Sequence, residues 1–138
     1  MPKPAFRNPD KFQLLPFREW CREHLPPGNE GIVIEDLDLL VRHFGAEHGT
    51  DAIGRFMLCE LKFDTSMIGT AQRRTFGLLD GLLRAGDKDG DRYLGYYIIN
   101  YDNEDWNRAN FRVNGQVLIH EKFWGFLMGL YEIPAFKF

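Results

Sequence analysis

Two cysteines in 138 residues, Cys21 and Cys59, are too few for a disulfide framework. Cys59 lies inside an apolar run, and both cysteines read as small packing residues suited to a reducing compartment. No apolar run approaches the ~20 residues that a membrane-spanning helix needs. The longest uncharged stretches, such as 93–101 and 123–131, fall far short of it. The opening MPKPAFRNPDKF is basic but lacks the apolar centre of a secretory signal, so a cytoplasmic location and no membrane partner are expected. Positive charge is also in short supply. Seventeen Lys and Arg against twenty Asp and Glu leave a net charge of −3, so no global field draws in a polyanion, and any nucleic-acid site has to be local. Repeats, low-complexity tracts and Ser-rich linkers are missing as well.

What the chain does have is core material. Hydrophobic residues make up 44% and aromatics 14%, including twelve Phe, which excludes disorder and fits one domain over 1–138. Prolines at 2, 4, 9 and 16 mark residues 1–15 as an extended arm. Between Pro16 and Pro26, Phe17, Trp20, Cys21 and Leu25 fall near one face of a short helix. Residues 32–44, IVIEDLDLLVRHF, and 55–63, RFMLCELKF, read as neighbouring strands separated by a polar loop. Phe76, Leu79 and Leu83 predict a helix over 70–85, with Gly86 as its cap. RYLGYYIINY reads as a strand. FRV and QVLI form a hairpin about Asn114-Gly115, and EKFWGFLMGL supplies a last helix. This order predicts an α/β or α+β fold, a mixed β-sheet flanked by helices.

The chemistry is concentrated on the paired strands. Alternation puts Phe56, Leu58, Glu60 and Lys62 on one face and Met57, Cys59, Leu61 and Phe63 on the other. A covered central strand thus turns ionic at its end, which is costly unless the charges are paired, solvated or bound to a cation. Asp36 and Asp38 break the preceding strand in the same way, on the face opposite Leu37, Leu39 and Val41. If the strands are neighbours, an Asp and Glu60 converge, and two carboxylates need a counter-charge to stay ionised together. Magnesium is the natural candidate, because hard cations take carboxylates, waters and phosphate oxygens.

This pattern resembles the PD-(D/E)xK nuclease superfamily, which has an acid on one core strand and a (D/E)xK triplet on the next. The triplet here is Glu60-Leu61-Lys62, and the aspartate is best matched by Asp38, with Asp36 second; neither is preceded by Pro. Many members carry a Glu on the first helix, for which Glu19 or Glu23 would serve, and a Gln on the helix after the second strand. Gln72 occupies that place, on the apolar stripe and so turned inward. The resemblance covers about residues 17–85. It implies a restriction-endonuclease-like fold with an αβββαβ-type core and Mg²⁺-dependent phosphodiester hydrolysis, with Mn²⁺ able to substitute. Asp38, Glu60 and the Leu61 carbonyl would bind the metal, and Lys62 would orient or help deprotonate the attacking water. Gln72, Asp36 and the helix Glu would assist. The substrate implied is DNA, cut endonucleolytically, with branched DNA or a Holliday junction as the first choice and a homodimer as the resolvase-like assembly. The residues do not separate DNA from RNA.

Other readings stand beside it. Arg73 and Arg74 offer phosphate contacts, although exposed helix arginines often serve only solvation. If the charges are only structural, Asp36, Asp38 and Glu60 line an exposed sheet face and pair with Lys62 and Arg42; a non-catalytic module on the same fold would use an exposed face to bind a protein. DKDGDRYLGYYI fails as a calcium loop, with Arg92 where Gly and Ile98 where Glu are required, and reads as a polar turn. The four histidines lack zinc spacing. Trp106, Phe111, Phe123 and Trp124 read as core.

Overall fold

The computed structural model describes residues 15–25, 31, 33 and 35–138, the side chains of 15, 17 and 18 excepted. The expected arm over 1–15 lies outside them apart from its last residue. The chain divides into two compact units, 1–34 and 35–138. The first holds α1 (Leu15–His24), on which Arg22 donates to Glu19 at 3.1 Å. The second holds β1 (Leu39–His43), β2 (Arg55–Phe63), α2 (Thr70–Gly86), β3 (Tyr93–Tyr101), β4 (Phe111–Val113), β5 (Gln116–Leu118) and α3 (His120–Leu127).

The five strands form one mixed sheet in the order β1-β2-β3-β4-β5. Only β2 and β3 run parallel, with α2 in the connection between them. These two central strands are nearly continuous apolar runs because both of their faces are covered. On one face Leu58, Tyr96 and Ile98 pack with Phe76 of α2. On the other, Met57, Cys59, Tyr97, Ile99 and Val113 pack with Phe123 and Phe126 of α3. Cys59 is wholly buried and Cys21 is buried, and both are free thiols. Asn114 and Gly115, with φ of 49° and 82°, make the primed turn between β4 and β5. Asn114 also accepts the Ile98 amide at 2.8 Å, tying the hairpin to β3.

The mixed α/β class agrees with the sequence, while several details differ. Among the described residues two strands, not the three of an αβββαβ core, precede α2. β1 begins at Leu39, so Asp36 and Asp38 lie ahead of it. The reason is a cross-strand contact: the Asp38 carboxylate accepts the Leu61 N–H at 2.8 Å, doing the work of a ladder carbonyl. The inner face of α2 carries Phe76 and Asp80, while Leu79 is displaced to the edge, 36% exposed. Asp80 tolerates burial because the Tyr93 hydroxyl donates to it at 2.6 Å and the Arg84 Nε at 3.0 Å. Gly86 is the last helical residue and Asp87 the cap. Asp87 accepts the amides of Arg92 and Tyr93, the polar turn expected there. Phe111 and Phe123 are core, whereas Trp124 is 57% exposed.

The β2–β3 register slips between Phe56 and Met57, and Gly95 sits at the slip with φ 130°. A Cβ there would overlap the Ala135 side chain. Gly95→Ala is therefore expected to destabilise the protein by at least about 2 kcal/mol. Gly81→Ala, at an α2 position with nothing within 4 Å, should stabilise it by about 0.4–1 kcal/mol. Urea denaturation of both variants checks the pair, and equal midpoints would contradict it.

Candidate functional site

The β1–β2 register pairs Leu39 with Cys59, so one step further along it Asp38 stands across from Glu60. Glu60 is on the α2-covered face and only 4% exposed. α2 begins beside it. Gly69 is the N-cap, and its N–H donates to Gln72 Oε1 at 3.4 Å, which holds the Gln72 amide close to the helix start. From there Gln72 Nε2 donates to Glu60 Oε1 at 3.2 Å, while its Oε1 accepts from Lys62 Nζ at 3.1 Å. Lys62 Nζ lies 3.6 Å from the same Glu60 oxygen. One amide therefore spaces an acid and an amine two residues apart on β2.

The other Glu60 oxygen, Oε2, is buried and has no hydrogen-bond partner. Burial pushes the Glu60 acid up to about 7, and the neighbouring Asp38 charge adds to the rise. The Lys62 ammonium and the Gln72 hydrogen bond oppose it. Beside this pair lies the Tyr96 hydroxyl, also buried and without a partner. Burial raises the Tyr96 phenol, and the charges of Glu60, Asp38 and Glu35 raise it further.

Thus Asp38, Glu60, Leu61, Lys62 and Gln72 come together. Arg73, Arg74 and Arg42 do not join these hydrogen bonds. Asp36 is exposed. Glu19 and Glu23 are exposed on α1, which belongs to the other unit. Arg73 and Arg74 are exposed on the first turn of α2, with Arg73 stacked 5.3 Å from the Phe136 ring centre. Arg42 donates to the Ile53 carbonyl and lies over Phe44. An exposed acidic sheet face paired with Arg42 is therefore not the setting of Glu60, which is buried.

Three neighbours of the site escaped sequence reasoning. Asn100, in register with Lys62, is buried and donates to the Ser66 carbonyl at 2.8 Å. Its position in the strand gave that signal. Tyr96 and Glu35 gave none, since a Tyr in an apolar strand is ordinary core.

No group of three or more His, Cys, Asp or Glu is placed to hold a metal among the described residues. Asp38 and Glu60 are nonetheless a donor set that fits a hard cation retaining several waters. Comparison with protein-family models, with curated proteins and with solved structures finds no match to this chain.

Because the folded acid at Glu60 titrates near 7 against an ordinary 4.5, the folded protein holds a proton that the unfolded chain has released between those values. Stability should therefore fall as pH rises through this window and level off above it. In chelator, wild type is expected to lose about 1–3 kcal/mol relative to Glu60→Gln between pH 4.5 and 7. Parallel stability curves from urea titrations at each pH would contradict this.

Proposed function

We propose that the chain is a magnesium-dependent nuclease that hydrolyses DNA phosphodiesters with Asp38, Glu60 and Lys62. The observation that carries the reading is a buried carboxylate with an unoccupied oxygen, facing a second acid and linked through Gln72 to an amine. The resemblance to the PD-(D/E)xK nucleases gives the same residues the same roles.

When bound, a divalent cation lowers the pKa of its water and offsets the charge that develops on phosphorus. Asp38 and Glu60 would hold it, Glu60 through Oε2. The Leu61 carbonyl is a third donor, because a strand residue's N–H and C=O point to the same side and the Leu61 N–H points to Asp38. Lys62 keeps an ammonium beside Glu60, where it can orient the attacking water and donate to the phosphorane oxygens. Gln72 fixes that ammonium relative to the acid. This reading gives the phosphate-backbone contacts to Arg73 and Arg74, next in sequence, since a chain of net charge −3 depends on local cations. Endonucleolytic cutting of branched or four-way DNA by a homodimer is the substrate reading that accompanies the resemblance.

A second reading, a non-catalytic interaction module, draws on the same contacts, since Glu60, Gln72 and Lys62 bond one another and can serve as a strut. Linear, flapped and four-way DNA, with matching RNA, separate the two when incubated with magnesium, manganese or chelator. The nuclease reading expects metal-dependent cleavage. It also expects Asp38→Asn, Glu60→Gln and Lys62→Ala each to slow cleavage by about 10²–10³ or more while the fold survives by circular dichroism. Cleavage that persists in chelator or in all three variants contradicts it. Wild-type protein that cuts nothing leaves the strut.

A further inference from the structure

A cavity of about 370 Å³ opens where β2 and β3 begin. Its lining includes Arg55, Met57 and Tyr97, so it lies on the α3 face and at the opposite end of β2 from Glu60. Glu60 is five residue steps along the strand from Arg55, about 17 Å. The volume falls within the range of small-molecule sites, about 300–1,000 Å³.

The fixed charges in the lining are mainly cationic: Arg55 and Arg84 against a single carboxylate, Glu132. Arg55 uses Nη2 on the His48 carbonyl, and Arg84 uses Nε on Asp80. Their other N–H groups have no hydrogen-bond partner among the described residues apart from these. His43 also lines the cavity and is 6% exposed. Its Nε2 is 2.7 Å from the Leu127 carbonyl. A carbonyl only accepts, so Nε2 carries the hydrogen and Nδ1 of the neutral ring is left with a lone pair. That Nδ1 is buried and has no partner. The wall beside it is Gly129, where even a Cβ would stand 3.1 Å from the ring. A buried acceptor without a donor, next to two guanidinium groups with spare donors, calls for a ligand with both an anionic group and an O–H or N–H. Phe126 and Tyr131 add aromatic rings to the lining.

We propose that this cavity binds a small phosphomonoester with a ring and a hydroxyl, of sugar-phosphate or mononucleotide size. The phosphate meets Arg55 and Arg84, a hydroxyl donates to His43 Nδ1, and the ring lies along Phe126 and Tyr131. This site is independent of the nuclease reading.

Titration calorimetry of the 138-residue chain with adenosine 5′-monophosphate, ribose 5-phosphate, inorganic phosphate and adenosine tests it. One-to-one binding of at least one of the two phosphomonoesters is expected, at least tenfold tighter than adenosine or inorganic phosphate. Preference for adenosine 5′-monophosphate identifies the ring as a base, and equal binding identifies it as the sugar. Arg55→Met should weaken binding at least tenfold. Glu132→Gln should tighten it severalfold, a gain that a misfolded variant cannot produce, and Glu60→Gln should leave it unchanged. The proposal is overturned if neither phosphomonoester binds at millimolar concentration, if inorganic phosphate binds equally well, or if Arg55→Met and Glu132→Gln have no effect.

Discussion

A carboxylate buried at the end of a central strand is the constraint around which the second unit is arranged. Glu60 has the covered core of Leu58 and Tyr96 at its back and one oxygen with no protein donor. Burying an acid in this way is unfavourable unless neighbours favour one of its two protonation states. Gln72 and Lys62 favour the ionised form, while burial and Asp38 favour the acid. The result is a group that titrates close to neutrality.

The neighbouring elements follow from that balance. β1 is short because Asp38 gives its carboxylate to the Leu61 amide. The Gly69 cap of α2 sets the entry of Gln72, and the two hydrogen bonds of that amide decide how far Lys62 stands from Glu60. The opposite end of the α2 inner face repeats the device with a different outcome. Asp80 is buried too, but the Tyr93 hydroxyl and Arg84 occupy both of its oxygens. Asp80 is a satisfied structural acid and Glu60 an unsatisfied one, which is a physical distinction between a group that holds the fold and a group that can hold something else.

Much of this was legible from residue order alone. The two-residue period of β2 put Glu60 and Lys62 on the face of Leu58, and the turn of α2 put Gln72 in line with Phe76, so an acid, an amine and an inward amide could be placed together. The strand pair and the Asn114-Gly115 hairpin follow from equally local rules. What escaped was set by tertiary contact. Nothing in the order of residues marks Asp80 as buried, because its partner Tyr93 is thirteen positions away. The bulge at Gly95 depends on the approach of Ala135, and the length of β1 on a side chain replacing a backbone acceptor. The basic cavity around His43 joins β1, β2, α2, α3 and residues 129–135, and no single segment hints at it.

The most direct measurement is Mn²⁺ titration calorimetry near pH 7 in buffers of different ionisation enthalpy. If a divalent cation takes the oxygen that a proton otherwise occupies, binding will release protons, the observed heat will depend on the buffer, and both effects will vanish in Glu60→Gln. Binding with no proton release, or binding that Glu60→Gln leaves intact, would contradict a cation site built on this carboxylate.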